Sequence, residues 1–181
     1  MTIEKLPIDG LIVLHPRRFG DSRGYFFETF NAIKYAEILG EEVHFVQDNV
    51  SVSKKNVLRG LHFQSPPAAQ GKLVSVLQGK VIDVAVDLRK NSETYGQHVA
   101  IELSSENGLQ FWIPPGFAHG FAALEENTIF SYKCTSLYSP QNELTIMWDD
   151  PKLAIYWGLD DPIVSEKDGL GVDFTTFASP F

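Results

Sequence analysis

Apolar residues recur at every second position through most of this chain, and at helical spacing in only one stretch. Phe45 to Ser53 sets the pattern, with Val46, Asp48, Val50 and Val52 on one face and Phe45, Gln47, Asn49 and Ser51 on the other. Gly10–Leu14, Lys72–Leu77, Lys80–Leu88, His98–Leu103, Leu109–Ile113, Gly120–Leu124 and Thr128–Leu137 also read as strands. Gln78-Gly79, Glu106-Asn107-Gly108 and Glu125-Glu126-Asn127 supply turns between neighbouring runs. The helical stretch is Asn31 to Leu39: Asn31 caps it, Ile33, Ala36 and Leu39 form its apolar face, and Gly40 ends it. Arg17 to Phe26 reads as a turn-rich loop with two glycines and a buried aromatic cluster. From about Asp149 the chain is richer in Pro, Gly and Asp, which predicts short helices or loops over one end of a barrel. Many short strands at regular spacing mean an all-β sandwich or barrel. With no repeat, linker or low-complexity tract, residues 1–181 read as a single domain.

Composition narrows the function. The chain has 181 residues, 44% hydrophobic and 21% charged, which suits one globular domain with a sizeable core. No run approaches the roughly 18 apolar residues of a membrane span. Met1 to Pro7 lacks the basic and apolar regions of a signal peptide. The single cysteine, Cys134, excludes an internal disulfide and makes a reducing cytoplasm the expected location. Cys134 sits in a strand-like run and reads as a packed thiol rather than a nucleophile. A net charge of −8 argues against nucleic acid as a partner. The charge is uneven: Lys54, Lys55, Arg59, Lys72, Lys80, Arg89 and Lys90 face only Asp83 and Asp87 within residues 51–90. A local basic patch on an acidic chain fits a small anionic ligand.

The densest chemistry lies between Asn56 and Val74, where Arg59, His62 and Lys72 interrupt an apolar run and the loop after it. A base, a fixed cation and a titratable ammonium in a low dielectric suit removal of a proton from carbon beside a carbonyl. Gly108-Leu-Gln-Phe-Trp-Ile-Pro114-Pro-Gly116-Phe-Ala-His119 resembles the second motif of the cupins, and implies a jelly roll, or double-stranded β-helix, with a short N-terminal helix and small C-terminal helical or loop elements. Metal-binding cupins carry His-x-His and a downstream Glu in their first motif. Here the matching positions read His62-Phe63-Gln64, with no Glu between Gln64 and Glu93, so no metal is expected.

Seven blocks then occur in order: Asp21–Glu28, Gln47–Asn49, Leu58–Gln64, Gln70–Val74, Trp112–Phe121, Tyr132–Thr135 and Ser165–Asp168. Together they resemble the dTDP-4-dehydrorhamnose 3,5-epimerase family, metal-free cupins of dTDP-rhamnose synthesis, from about Ile8 to Leu170. The resemblance implies an isomerase that takes dTDP-4-dehydro-6-deoxy-D-glucose to dTDP-4-dehydro-L-rhamnose without a cofactor. It implies His62 as base, Asp168 as the carboxylate that orients it, Tyr132 as the acid on the opposite face, and Lys72 at the C4 oxygen. It assigns Arg23 and Arg59 to the diphosphate, and Glu28, Gln47, Asp48, Asn49, His119, Glu143 and Lys167 to substrate contacts. Phe19 or Tyr138 would stack on the base. It also implies a homodimer in which N-terminal strands join the partner's sheet.

Read singly, these residues have plainer roles. His62 suits a hydrogen-bonded core histidine, Tyr132 a strand aromatic, Arg59 a surface ion pair, and Glu28 and Glu143 solvated carboxylates. His119 either braces His62 or a turn, or touches phosphate or sugar. Strict alternation sets Arg59 and His62 on opposite faces, so a bulge at Gly60 is required to bring both into one cavity. Ser75 and Gln78 stand where many members are basic, and Gly171–Phe177 matches no family pattern. Three other readings stay open: a single-site epimerase or ketoisomerase of the same fold, a non-catalytic sugar-nucleotide-binding cupin, and a metal-dependent oxygenase.

Overall fold

The computed structural model describes residues Met1–Phe181 and is built from two antiparallel sheets facing each other. In chain order the strands are β1 (Thr2–Lys5), β2 (Ile12–His15), β3 (Arg18–Asp21), β4 (Gly24–Phe27), β5 (Gln47–Ser53), β6 (Leu58–Gln64), β7 (Lys72–Gln78), β8 (Lys80–Asp87), β9 (His98–Ser104), β10 (Gln110–Ile113), β11 (Phe117–Ala123), β12 (Thr128–Cys134) and β13 (Glu143–Thr145). The single α-helix, α1 (Ala32–Leu39), falls between β4 and β5, and a 3-10 turn covers Asp168–Leu170. One sheet runs β1-β2-β10-β7-β12-β5 and the other β13-β6-β11-β8-β9, while β3 and β4 form a separate hairpin. This is the expected jelly roll.

Period-two alternation divides each strand between two layers. Val13, Val74, Val76, Phe111, Phe121 and Phe130 point between the sheets and form one core cluster. Leu58, Leu61, Val84, Val86, Ala118 and Ala122 point away from it and pack under Leu153, Trp157 and Phe174 of the C-terminal segment. That segment therefore covers the outside of the five-stranded sheet. Helix α1 covers part of the other outer face, where Tyr35 packs with Leu14, Leu73 and Trp112. Asn31 caps the helix by accepting from the Lys34 N–H, as expected, and Gly40 ends it.

Two strands were unforeseen and two expectations need correction. The inward face of α1 is Tyr35, Ile38 and Leu39, and Ile33, expected there, is 74% exposed. Thr2–Lys5 is a strand, too short and polar to show alternation but paired along β2. Arg17–Phe26 is largely the β3–β4 hairpin, and its aromatics are not buried: Phe19, Tyr25 and Phe26 are 52%, 57% and 69% exposed. Cations cover two of them, with Arg17 over Phe19 and Arg18 over Tyr25, and Arg18 also lies over Phe27. Glu143–Thr145 is a three-residue strand set by tertiary pairing with β6, below the length at which periodicity can be read.

The bend at Gly60 is present. His119 pairs with His62, but Phe121 pairs with Arg59, so β6 carries one residue more than β11 between the two pairs. Gly60 has φ +132, and a Cβ there would lie 2.5 Å from Gly120 Cα. Only glycine permits that approach. The extra residue turns Arg59 and His62 into the same cavity.

Candidate active site

The open end between the sheets holds two adjoining cavities, of about 370 and 270 Å³, both lined by His62, Lys72, Tyr132, Tyr138 and Glu143. His62 stands on β6 of the five-stranded sheet; Lys72 on β7 and Tyr132 on β12 stand on the six-stranded sheet opposite. Gln47, Asn49, Gln64 and Gln70 line the smaller space, and Arg59, His119, Lys167 and Asp168 the larger. Most of the predicted site residues are thus brought together from chain positions 47 to 168.

His62 Nε2 lies 2.5 Å from Asp168 Oδ1, a contact that joins residues 106 apart in sequence. Burial alone would raise the Asp168 carboxyl, but the bonds from His62 and the Gly60 N–H prevail and hold it below the usual range. It is a fixed anion behind the imidazole, which leaves Nδ1 as the ring nitrogen free to act on a ligand. The 3-10 turn carrying Asp168 is tied down on both sides. Upstream, the Leu58 N–H donates to Ile163 O; downstream, Val172 bonds to Thr145 and Met147 beside β6.

His119 repeats this arrangement one strand away. Its Nε2 is 2.9 and 3.1 Å from the two oxygens of Asp83, which is fully buried. Burial lowers the His119 pKa, Asp83 opposes that, and the net direction is down. Asp83 is absent from the site residues expected from the sequence. Its signal was a lone carboxylate within the apolar strand Val81-Ile82-Asp83-Val84-Ala85.

Two cations in the cavity have no carboxylate partner. Arg59 Nε donates to Ser53 Oγ at 3.2 Å, and Lys72 Nζ reaches only the His62 carbonyl at 3.5 Å. Lys72 is held below the usual lysine range by burial, against the pull of more distant acids. Unpaired cations lining a cavity mark the place of an anionic ligand. Burial also raises the Tyr132 pKa, so its phenol keeps its proton at neutral pH. Glu143 accepts from both Tyr138 OH at 2.7 Å and Lys167 Nζ at 2.5 Å, forming a rim across the mouth.

Four predicted contacts are not in the cavity. The side chain of Asp48 lies on the other face of β5, where alternation had put it, and pairs with Lys133 at 2.9 Å. Arg23 pairs with Asp21 on the exposed hairpin, Phe19 lies beside it, and Glu28 pairs with Lys34 at 2.8 Å. Gln64, which replaces a metal-binding histidine, is fully engaged: its amide donates to Ala68 O and Leu137 O and accepts from the Ser139 N–H. It ties two loops together.

The chain matches the dTDP-4-dehydrorhamnose 3,5-epimerase family over residues 5–175. A protein of that name from Salmonella typhimurium is 52% identical over 169 residues, covering 93% of this chain and 92% of its own. The crystal structure of a 3,5-epimerase from Legionella pneumophila in complex with dTDP-4-keto-L-rhamnose superposes with a TM-score of 0.91 at 52% identity, covering 94% of this chain and 90% of that one. A 3'-monoepimerase from Streptomyces bikiniensis in complex with dTDP-quinovose gives a TM-score of 0.90 at 30% identity, covering 94% of this chain and 87% of that one.

Proposed function

The chain belongs to the dTDP-4-dehydrorhamnose 3,5-epimerase family, and from that premise we propose how its cavity performs the reaction. It is an isomerase of a dTDP-linked 4-keto-6-deoxyhexose, inverting C3 and C5. The proposal is carried by one observation: His62 and Tyr132 reach the same cavity from opposite sheets.

Both carbons flank the C4 ketone, so loss of either proton leaves an enolate whose charge rests on the C4 oxygen. His62 Nδ1 takes the proton, and the C–H electron pair becomes the new C=C bond. Asp168 stabilises the imidazolium and keeps the ring oriented. Lys72 meets the enolate oxygen, where a cation in low dielectric favours the transition state over the ketone. Tyr132 then protonates the same carbon from the other side, and the configuration inverts. The protonated histidine and the phenolate return to their starting states through solvent, and the cycle runs again at the second carbon. Arg59 takes the diphosphate, for which its planar fork is well shaped. Gln47, Asn49, Glu143, Lys167 and Tyr138 hold the rest of the nucleotide sugar.

The working enzyme is a homodimer. Val50, Val52 and Leu77 leave an exposed apolar patch on the outer face of the six-stranded sheet, beyond the part covered by α1. A second copy would cover it and bring its β3–β4 hairpin to the neighbouring cavity, so that Phe19, Arg23 and Glu28 serve the partner's site. A reducing compartment, the cytoplasm, suits a chain whose one thiol, Cys134, is unpaired.

The test is turnover of dTDP-4-keto-6-deoxyglucose in D2O, followed by proton NMR. Deuterium at both C3 and C5 with inversion is expected. Labelling of one carbon alone would make the protein a single-site epimerase, and no labelling would make it a binding protein.

A further inference from the structure

Ser51 Oγ is the one buried side-chain oxygen or nitrogen without a hydrogen-bond partner in the protein. Its neighbours on the inward face of β5 are all satisfied. Gln47 donates to Asn49, Asn49 donates to Cys134 Sγ at 3.6 Å, and Ser53 accepts from Arg59 Nε. Ser51 lies opposite Phe130 in the β5–β12 ladder, and that ring is fully buried and stacked on Phe121 at 4.1 Å. Within the protein the hydroxyl makes no bond that alanine would lack. No contact within the protein accounts for a serine at this position.

Its surroundings give one. Ser51 lines the larger cavity with Arg59, Lys72, His119 and Tyr132. It stands one inward step along β5 from Ser53, which anchors the unpaired guanidinium of Arg59. We propose that Ser51 is a substrate-binding residue whose hydroxyl donates to an oxygen of the diphosphate held by Arg59. A serine side chain has three staggered positions about one torsion, so a single rotation turns the hydroxyl from the wall into the cavity. A phosphate oxygen is the fitting acceptor, because it is anionic, has lone pairs to spare, and lies where the cations are uncompensated. This rests on the functional reading above and adds a contact that reading does not contain.

The test is calorimetric titration of wild type and Ser51→Ala with dTDP and with thymidine, alongside thermal unfolding of both proteins. Ser51→Ala should weaken dTDP binding about tenfold or more, the effect of one hydrogen bond to a charged acceptor. Thymidine affinity should not change, and the melting temperature should stay level or rise, because no bond within the protein is lost. Equal dTDP affinity in the two proteins overturns the proposal, as does an equal loss for thymidine. A wild type that fails to bind dTDP overturns the functional reading as well, so the two failures are distinct.

Discussion

His62 and His119 face each other directly across the β6–β11 ladder, and each is held through Nε2 by its own buried carboxylate. The two pairs differ in their surroundings. Asp168 is reached from the C-terminal end of the chain and lies beside the cavity that Tyr132 shares, whereas Asp83 sits behind His119 in the floor of the barrel. Asp168→Asn removes the charge that supports the imidazolium and should lower kcat on the order of 10²–10⁴-fold, with little change in KM. Asp83→Asn should act mainly on KM. Steady-state kinetics of the two variants checks the split.

Tyr132→Phe keeps the ring and removes the proton donor. His62 still takes and returns a proton on its own face, so exchange with solvent continues while inversion stops. Deuterium should enter the unchanged substrate faster than product forms, with epimerisation reduced on the order of 10²–10⁴-fold. NMR in D2O separates the two rates, and an equal loss of both would remove Tyr132 from the role of acid.

Arg23→Ala and His62→Ala should each be inactive, yet a refolded mixture should regain about a quarter of wild-type activity. Random pairing makes half the dimers mixed, and each mixed dimer has one intact site if the hairpin serves its partner. No recovery on mixing would mean that Arg23 does not act across a dimer.

Gly60→Ala should be severe. The new methyl would meet Gly120 Cα at 2.5 Å with φ at +132, and backbone cannot yield as a flexible side chain does. A loss of about 2–4 kcal/mol in urea unfolding is expected. Activity should fall further than stability, because the bulge is what brings Arg59 and His62 to one side.

Asp87 contributes to acid stability. Burial would raise its pKa, but bonds from Arg89, Thr94 and Ser92 overcome this and bring it down to about 2, from 3.8. A carboxyl depressed by folding stabilises in full above the unfolded value and loses that contribution as pH falls through the folded one. The effect is worth about 2 kcal/mol between roughly pH 4 and pH 2. Unfolding curves across that window should show stability rising with pH in the wild type, with a shallower rise in Asp87→Asn.

Much of this was legible in the chain because alternation is a local property. The faces of β5, the cap at Asn31 and the role of Gly60 all follow from residues within a few positions of one another. The hairpin aromatics misled because apolar side chains imply burial without saying against what, and this chain alone offers them only arginines. Asp48 was misplaced by following the motif where alternation already pointed outward. The orphan hydroxyl of Ser51 was invisible for a different reason. Whether a polar group has a partner depends on every strand around it, and one serine in a polar, alternating run looks like any other.

The two-sided anchoring of Asp168 has a consequence for the making of the protein. A chain cut short before residue 168 carries the cations and the phenol but an imidazole with no carboxylate behind it. The dyad is complete only when the segment from Ile163 to Val172 is laid against the strand that bears the base.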